Sequence, residues 1–451
     1  MMKTVCIVSL GCPKNLVDSE IMIAALERAG YVSTMEPESA SLVLVNTCGF
    51  IRPAVEEAID TILEMARYKE EHPSQQLVVA GCMVQRYGAE LVAELPEVDL
   101  FIGLDDVARI DTLLAEQAGG PRLPSRPGPA SYLMDKSVPR RITTPWFRSY
   151  LKITEGCDNC CAYCMIPSIR GPLRSRPVPD LVAEARTLEA GGVRELSLIA
   201  QDLTAYGRDL AGQTNLVRLL EALLQQTSIP WFRLLYAYPS SLSDELLTLM
   251  AGQPRILPYL DIPFQHVTDA VLHRMHRHYR QETLERLVAQ IRRFLPDCAL
   301  RTTLLVGFPG ETESDVDLLV DALNRWQLDH VGVFRYEDEE GAPAFLLPDK
   351  VSEERKQERY ERVMAAQMAV SEQRLRRFVG RIEPVLIEGV SSESELLLEG
   401  RSRYQAPDVD GCVYITAGQV NAGDIVPVRI TETHVYDLVG EVVEEEEGGQ
   451  G

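Results

Sequence analysis

Residues 154–164 read Thr-Glu-Gly-Cys-Asp-Asn-Cys-Cys-Ala-Tyr-Cys and hold four of the ten cysteines of this 451-residue chain. Three of them, Cys157, Cys161 and Cys164, follow the spacing C-x3-C-x2-C. Three thiolates so close in a loop can bind three irons of an iron–sulfur cube and leave the fourth iron without a protein ligand. An open metal position distinguishes a reactive site from a structural one, as it does for zinc. The spacing therefore predicts a reactive iron–sulfur cluster.

An open iron can bind the amino and carboxylate groups of S-adenosylmethionine and pass it an electron. Cleavage of a carbon–sulfur bond then yields an adenosyl radical that removes hydrogen from an unactivated carbon. Zinc is an alternative, because Cys160 turns the run into two adjoining C-x2-C pairs. Zinc sites of that type usually have a dozen or more residues between the pairs, whereas here there are none. Ordinary buried thiols are the third possibility.

Composition bounds the class of protein. An apolar fraction of 45% with 25% charged residues is ordinary for a soluble globular chain, and this length predicts two to four domains. There is no apolar run of 18 residues and no secretory h-region, so we expect a cytoplasmic protein without a membrane partner. Cysteines in a cytoplasmic protein usually bind metals or take part in catalysis rather than form disulfides. A net charge of −22 favours a basic protein partner over broad phosphate binding, unless it serves solubility alone.

The first part of the chain alternates strands and helices. Apolar runs at 4–9, 41–46 and 76–80 predict buried strands, and 18–29 and 55–68 have helical periodicity. This alternation predicts an open parallel sheet with helices on both faces.

Three further cysteines each follow the C-terminal end of one of these strands. Because such ends share one edge of an open parallel sheet, Cys12, Cys48 and Cys82 are expected to come together. They predict a second iron–sulfur site with a free iron, the alternative being small apolar fillers. The remaining isolated thiols, Cys6, Cys298 and Cys412, are expected to be such fillers.

A Gly-, Pro-, Arg- and Ser-rich segment, 117–141, predicts a linker between a first domain, 1–116, and a second, 142–379. The second domain repeats a strand–helix alternation, which predicts a partial parallel barrel of six βα units with its chemistry at the C-terminal rim of the strands. The predicted strands are 149–153, 195–200, 232–237, 259–263, 300–306 and 330–336. The predicted helices are 181–190, 216–226, 243–252, 282–294 and 313–325.

The rim supplies further candidate residues. The C-x3-C-x2-C loop follows the first strand, and polar or glycine-containing turns follow later ones. We expect contacts with S-adenosylmethionine from four residues: Gln201, Gln265, Gly307 and Glu311. The glycine turn is equally typical of a tight βα connection, and His266 is expected to be a hydrogen-bonded rim histidine rather than a metal ligand. The pattern identifies no catalytic side chain apart from the cysteines.

A charged helix at 352–378 precedes a small all-β barrel at 380–443. Its predicted strands are 384–388, 395–399, 411–416 and 424–432. Residues 376–447 contain six Lys and Arg against fifteen Asp and Glu, which suits a basic protein better than RNA and leaves direct RNA binding open. The tail, 444–451, is expected to be disordered.

Together, two cysteine triads in an α/β domain and a partial barrel, followed by a β-barrel, resemble the radical-SAM methylthiotransferases across essentially the whole chain. The resemblance implies a methylthiotransferase N-terminal domain, a radical-SAM core and a TRAM domain. It also implies two 4Fe–4S clusters. Cys12, Cys48 and Cys82 would hold the auxiliary cluster, while Cys157, Cys161 and Cys164 would hold the cluster that cleaves S-adenosylmethionine.

Within this family, Ser-Leu-Gly-Cys-Pro-Lys-Asn at residues 9–15 is similar to the branch that modifies a ribosomal protein, as are 259–263 and 400–411. Gln405 departs from that branch, which usually has an acidic residue there. The resemblance implies that a methylthio group is added to the β-carbon of an aspartate in small-subunit ribosomal protein twelve, free or ribosome-bound. A flavodoxin- or ferredoxin-type protein would supply electrons. Alternatives are methylthiolation of a tRNA adenosine and a non-enzymatic ribosome or RNA adaptor with structural metal sites.

Overall fold

The computed structural model describes residues 3–116, 123 and 128–443. Most of the predicted linker (117–122 and 124–127) and the predicted disordered tail (444–451) lie outside the described residues. The described stretch 128–141 contains no helix or strand. Within the described ranges, no helix combines the length and the apolar character needed to cross a membrane.

The N-terminal part, residues 3–116, is an open parallel sheet. Its strands are β1 (Lys3–Ser9), β2 (Tyr31–Ser33), β3 (Leu42–Thr47), β4 (Gln76–Gly81) and β5 (Leu100–Ile102), in the order β2-β1-β3-β4-β5. Its helices are α1 (Pro13–Arg28), α2 (Arg52–Glu71), α3 (Cys82–Glu94) and α4 (Ile110–Ala115). Apolar clusters lie on both faces of the sheet. The predicted open α/β sheet is confirmed, and the missed edge strands β2 and β5 are three residues each, too short to show a periodicity.

The second part contains a six-stranded parallel sheet in the order β13-β12-β11-β10-β9-β6, which confirms the six predicted βα strands. The strands here are β6 (Arg148–Lys152), β7 (Thr154–Glu155), β8 (Arg174–Ser175), β9 (Glu195–Ile199), β10 (Trp231–Leu234), β11 (Ile256–Asp261), β12 (Ala299–Val306) and β13 (His330–Arg335). The helices are α5 (Ile166–Arg170), α6 (Val178–Ala190), α7 (Leu216–Gln226), α8 (Asp244–Gly252), α9 (Asp269–Arg274), α10 (Gln281–Phe294), α11 (Glu313–Trp326) and α12 (Glu353–Leu375). Short β7 and β8 pair with each other beside the cysteine loop.

The C-terminal part is a closed barrel of five strands, β14 (Ile382–Val390), β15 (Leu398–Ser402), β16 (Val413–Ala417), β17 (Ile425–Thr433) and β18 (Leu438–Val442). The small all-β barrel is therefore confirmed, but the prediction of four strands was wrong. The last strand was missed because it is short and leads directly into the acidic tail. The strand predicted at 395–399 begins later, since Leu396 is 93% exposed in the turn before it.

Buried ion pairs and a shared apolar core attach the barrel to the second part. Arg401 donates to Glu195 of β9 at 2.7 Å and to Glu388 of β14 at 3.0 Å, and Arg233 of β10 donates to Glu195 at 2.6 Å. Although burial alone would raise it, the two arginines hold the pKa of Glu195 down to about 2. Around these charges, side chains from the sheet such as Trp231 pack with apolar barrel residues.

Replacing Arg401 by Met should destabilise the protein by about 3–5 kcal/mol, because Glu195 and Glu388 would lose a buried partner. The thermal unfolding midpoint should fall clearly. Arg376→Met is the matched control, since the exposed pair of Arg376 with Glu372 contributes about 1 kcal/mol or less. Equal midpoints for the two variants would contradict this account of how the barrel is attached.

Candidate functional site

The loop with C-x3-C-x2-C spacing lies between β7 and α5, at the C-terminal end of β6. All three sulfur-bearing side chains line one cavity of about 250 Å³. Each sulfur is within hydrogen-bond distance of a donor. The backbone N–H of Asn159 donates to Cys157 Sγ, that of Ile166 to Cys164 Sγ, and the Arg277 guanidinium to Cys161 Sγ, each at 3.4 Å. Donors aimed at sulfur stabilise negative thiolates and tune the potential of a bound iron–sulfur cluster.

Burial governs the protonation of these thiols. It raises the pKa of Cys157 to about 11 and also raises that of Cys164. A thiol in such surroundings releases its proton only when a metal supplies compensating charge. The donor set of three soft sulfurs with N–H donors therefore fits an iron–sulfur cluster.

Two walls of this cavity are built from strained backbone. Tyr236 and Gln265, which follow β10 and β11, have φ angles of 71° and 68°, in the left-handed region that residues with side chains rarely adopt. Backbone hydrogen bonds maintain the strain: Leu203 N–H donates to Tyr236 O, and Gln265 N–H donates to Thr303 O. Such strain is concentrated at functional sites. Both residues line the cavity, as does Gln201.

The structure does not bring the other two expected cofactor residues into this cavity. Glu311 is buried and accepts from Gly307 N–H at 2.6 Å and from Arg359 at 2.7 Å. It also pairs with His266 Nε2 at 3.1 Å. His266 is thus a hydrogen-bonded histidine, as expected. Gly307 and Glu311 shape the loop after β12, and their contact with S-adenosylmethionine stays a prediction.

The cysteines of the N-terminal sheet come together at its C-terminal edge. Gly11 has φ 88°, and a Cβ atom there would lie 2.8 Å from Cys48 Cβ, so the turn carrying Cys12 passes directly over Cys48. Asn15 ties the three loops: its Nδ2 donates to Thr47 O at 2.8 Å, and its Oδ1 accepts from Cys82 Sγ at 3.3 Å.

Local charge distinguishes these three thiols. Burial alone would raise the pKa of Cys12, but the neighbouring Lys14 and Arg170 cations lower it. Burial raises the pKa of Cys82 to about 12, in spite of Arg170. Burial also raises the pKa of Cys48. A cationic surrounding of this kind suits a site that must hold several thiolates.

The two triads lie at the same junction between the N-terminal and second parts. Met165, which follows Cys164, packs with Cys82 and with the partly buried Phe50. Phe50 in turn lines the cavity of Cys157, Cys161 and Cys164. Within the described ranges, no three His, Cys, Asp or Glu side chains are placed to hold a single metal ion.

Several residues at this junction could not be found from spacing. Arg277, which donates to Cys161, comes from the segment after α9, more than a hundred residues along the chain. Arg170, the last residue of α5, donates to Asn15 Oδ1 at 2.7 Å. Cys160, the extra thiol, is exposed. Cys6 and Cys298 are buried, as expected for fillers, whereas Cys412 is only partly buried.

Comparison with known families covers most of the chain. Residues 4–103 match the model described as Uncharacterized protein family UPF0004, residues 151–323 match the Radical SAM superfamily, and residues 379–443 match the TRAM domain. Among solved structures, the radical S-adenosylmethionine methyltransferase TsrM from Kitasatospora setae is similar with a TM-score of 0.56. The match covers 74% of this chain and 75% of that one at 18% identity, and it concerns the fold alone.

Curated relatives match over nearly their whole length. The ribosomal protein uS12 methylthiotransferase RimO of Desulfotalea psychrophila is 54% identical over 97% of this chain and 98% of that protein. Those of Geobacter sulfurreducens and Myxococcus xanthus are 49% and 47% identical, over 97% and 98% of this chain and over 98% and 92% of their own lengths. Because the identity is this high over nearly the whole length of these relatives, the chain belongs to the RimO family of radical-SAM methylthiotransferases.

Proposed function

We propose that this chain adds a methylthio group to the β-carbon of an aspartate in ribosomal protein uS12, using two 4Fe–4S clusters and S-adenosylmethionine. Cys157, Cys161 and Cys164 would hold the cluster that binds S-adenosylmethionine, and the triad of Cys12, Cys48 and Cys82 would hold the auxiliary cluster. The proposal is supported above all by the two triads meeting at one junction, in a chain that matches a uS12 methylthiotransferase over 97% of its residues.

When bound, the cluster of Cys157, Cys161 and Cys164 would supply the electron that cleaves S-adenosylmethionine, and the auxiliary cluster would hold the sulfur that is transferred. The chain itself supplies position and surroundings. Arg277 and two backbone N–H groups hold the sulfurs of one triad, while Asn15 holds the loops of the other. Met165 and Phe50 pack beside Cys82, and Phe50 also lines the cavity of the other triad, so their apolar side chains help to exclude bulk water from the junction.

The same proposal assigns the parts of the chain. Residues 1–116 form the methylthiotransferase domain, 117–141 the linker, 142–379 the radical-SAM core, 380–443 the TRAM domain and 444–451 an acidic tail. The proposed contacts with S-adenosylmethionine are Gln201, Gln265, Gly307 and Glu311. The first two line the cavity, and Glu311 accepts from Gly307 N–H in the neighbouring loop. A cytoplasmic location and a flavodoxin- or ferredoxin-type reductant complete the proposal.

The proposed substrate is tested by reacting the anaerobically reconstituted protein with uS12 and with tRNA side by side. Mass spectrometry should show the mass of a methylthio group on one aspartate of uS12, and nucleoside analysis should show unmodified adenosine. Modified adenosine with unmodified uS12 would assign the chain to the tRNA reaction. Zinc-loaded, colourless protein without turnover would favour an adaptor.

Cys161→Ala should remove the S-adenosylmethionine cluster, because one of three thiolate ligands is lost. Iron should fall from about eight to about four atoms per chain, and formation of 5′-deoxyadenosine should cease. Cys160→Ala is the matched control, since that neighbouring thiol is exposed and outside the triad. The Cys160→Ala variant should retain its iron content and should still form 5′-deoxyadenosine. Continued 5′-deoxyadenosine formation by Cys161→Ala would refute the assignment.

Cys48→Ala should separate the two halves of the reaction. The variant loses the auxiliary cluster and about four irons, still forms 5′-deoxyadenosine and transfers no methylthio group, which a product mass spectrum measures. Cys6→Ala, which removes a buried thiol from β1, should keep all three properties. Methylthiolated product from Cys48→Ala would rule out this triad as the sulfur site.

A further inference from the structure

Lys14 is a buried cation at the junction of the two triads. It follows Cys12 in the first turn of α1, and only 4% of the residue is exposed. Its Nζ lies 3.9 Å from the centre of the Tyr236 ring, which lines the cavity of the other triad. The ammonium group therefore lies close to the Cys12 triad in the chain and contacts, through Tyr236, the wall of the cavity that holds the other triad.

Within the part of the chain that the structure describes, no acceptor lies within hydrogen-bond or ion-pair distance of Lys14 Nζ. The carboxylates that face it already have partners. Glu155 is paired with Lys152 and with Arg170, and Asp261 is paired with Arg301 at 3.0 Å. Among the described residues, Cys12 is the one anionic neighbour left to Lys14, and it is committed to its own triad. A buried ammonium group with no carboxylate of its own costs free energy, because the aromatic face replaces only part of its hydration.

We propose that Lys14 binds the side-chain carboxylate of the aspartate that is modified. This inference rests on the proposed function and deepens it. A carboxylate held by Lys14 is one bond from the β-carbon, so the contact would place that carbon between the two triads. Asparagine has nearly the same shape without the charge. Lys14 thereby becomes the residue that selects aspartate over asparagine.

Two other roles for Lys14 give different outcomes. Lys14 could serve only to balance the negative charge of the Cys12 triad, since Cys12 lies two residues before it and has the strongest charge interaction with it. It could instead bind the carboxylate of S-adenosylmethionine. The first role predicts loss of iron without a change in substrate selection, and the second predicts weaker binding of S-adenosylmethionine with selection retained.

The test measures binding of two synthetic peptides to the reconstituted holoenzyme by calorimetry. Both reproduce the uS12 loop, one with the target aspartate and one with asparagine in its place. The wild-type protein should prefer the aspartate peptide by about 10- to 100-fold, the range of a hydrogen bond to a charged group. In Lys14→Met and Lys14→Gln the ratio should fall to about one, and Lys14→Arg should restore part of it.

Lys3→Met is the matched control. Lys3 also lies over a tyrosine ring, that of Tyr31 at 5.2 Å, but at the opposite end of β1 and exposed. Its peptide ratio should equal that of the wild type. Iron content and affinity for S-adenosylmethionine are measured for every variant. Two Lys14 variants guard against one that fails to fold.

An unchanged ratio in Lys14→Met or Lys14→Gln overturns the inference, and the accompanying loss of iron or of S-adenosylmethionine affinity then identifies which other role Lys14 has. If the wild-type protein neither binds nor methylthiolates the aspartate peptide, the proposed function itself fails. A wild type that methylthiolates the peptide while binding both peptides equally overturns only the role of Lys14.

Discussion

A buried network of four charged side chains fixes the N-terminal sheet against the cysteine loop of the second part. Asp18 of α1 accepts from Lys152 of β6 at 2.5 Å and from Arg170 of α5 at 2.8 Å. Glu155 of β7 accepts from the same two cations. Two anions and two cations compensate one another, so the burial of these charges is tolerable. Replacing them with apolar residues of similar volume is often neutral or stabilising in proteins, and their contribution here lies in geometry.

That geometry links the two triads. Arg170 ends the helix that follows Cys164, and its guanidinium reaches Asn15, which holds the loops of Cys48 and Cys82. One buried, hydrogen-bonded side chain thus connects the loop of one triad to the residues that hold the other. The pKa of Glu155 is held well below its usual range by Lys152 and Arg170, in spite of burial. The link therefore keeps its charge throughout the neutral range.

The sequence allowed the cysteines to be grouped but not their surroundings to be described. Cys12, Cys48 and Cys82 were predictable because each follows a parallel strand, and parallel strands share an edge. Arg277 and Arg170 were not, because their contacts with the cysteine loops are tertiary and no local period marks them. The left-handed backbone of Tyr236 and Gln265 was equally invisible, since neither residue type signals it. Gln405, the departure from the ribosomal-protein branch, proves to be an internal residue, with Oε1 accepting from Ser402 N–H at 3.0 Å.

The barrel and the triads lie at opposite ends of the parallel strands. The barrel packs on residues where strands begin: Trp231 opens β10, Ala299 opens β12, and His330 of β13 bonds Tyr404 O at 2.9 Å. The triads lie where strands end. The barrel therefore covers the end of the sheet where the strands begin. The opposite end, where the triads lie, is left for the substrate. An acidic barrel at that end can act on a substrate only through long-range charge, which changes the rate of encounter without constraining the reacting residue. Selection of that residue has to be made at the rim, by groups such as Lys14.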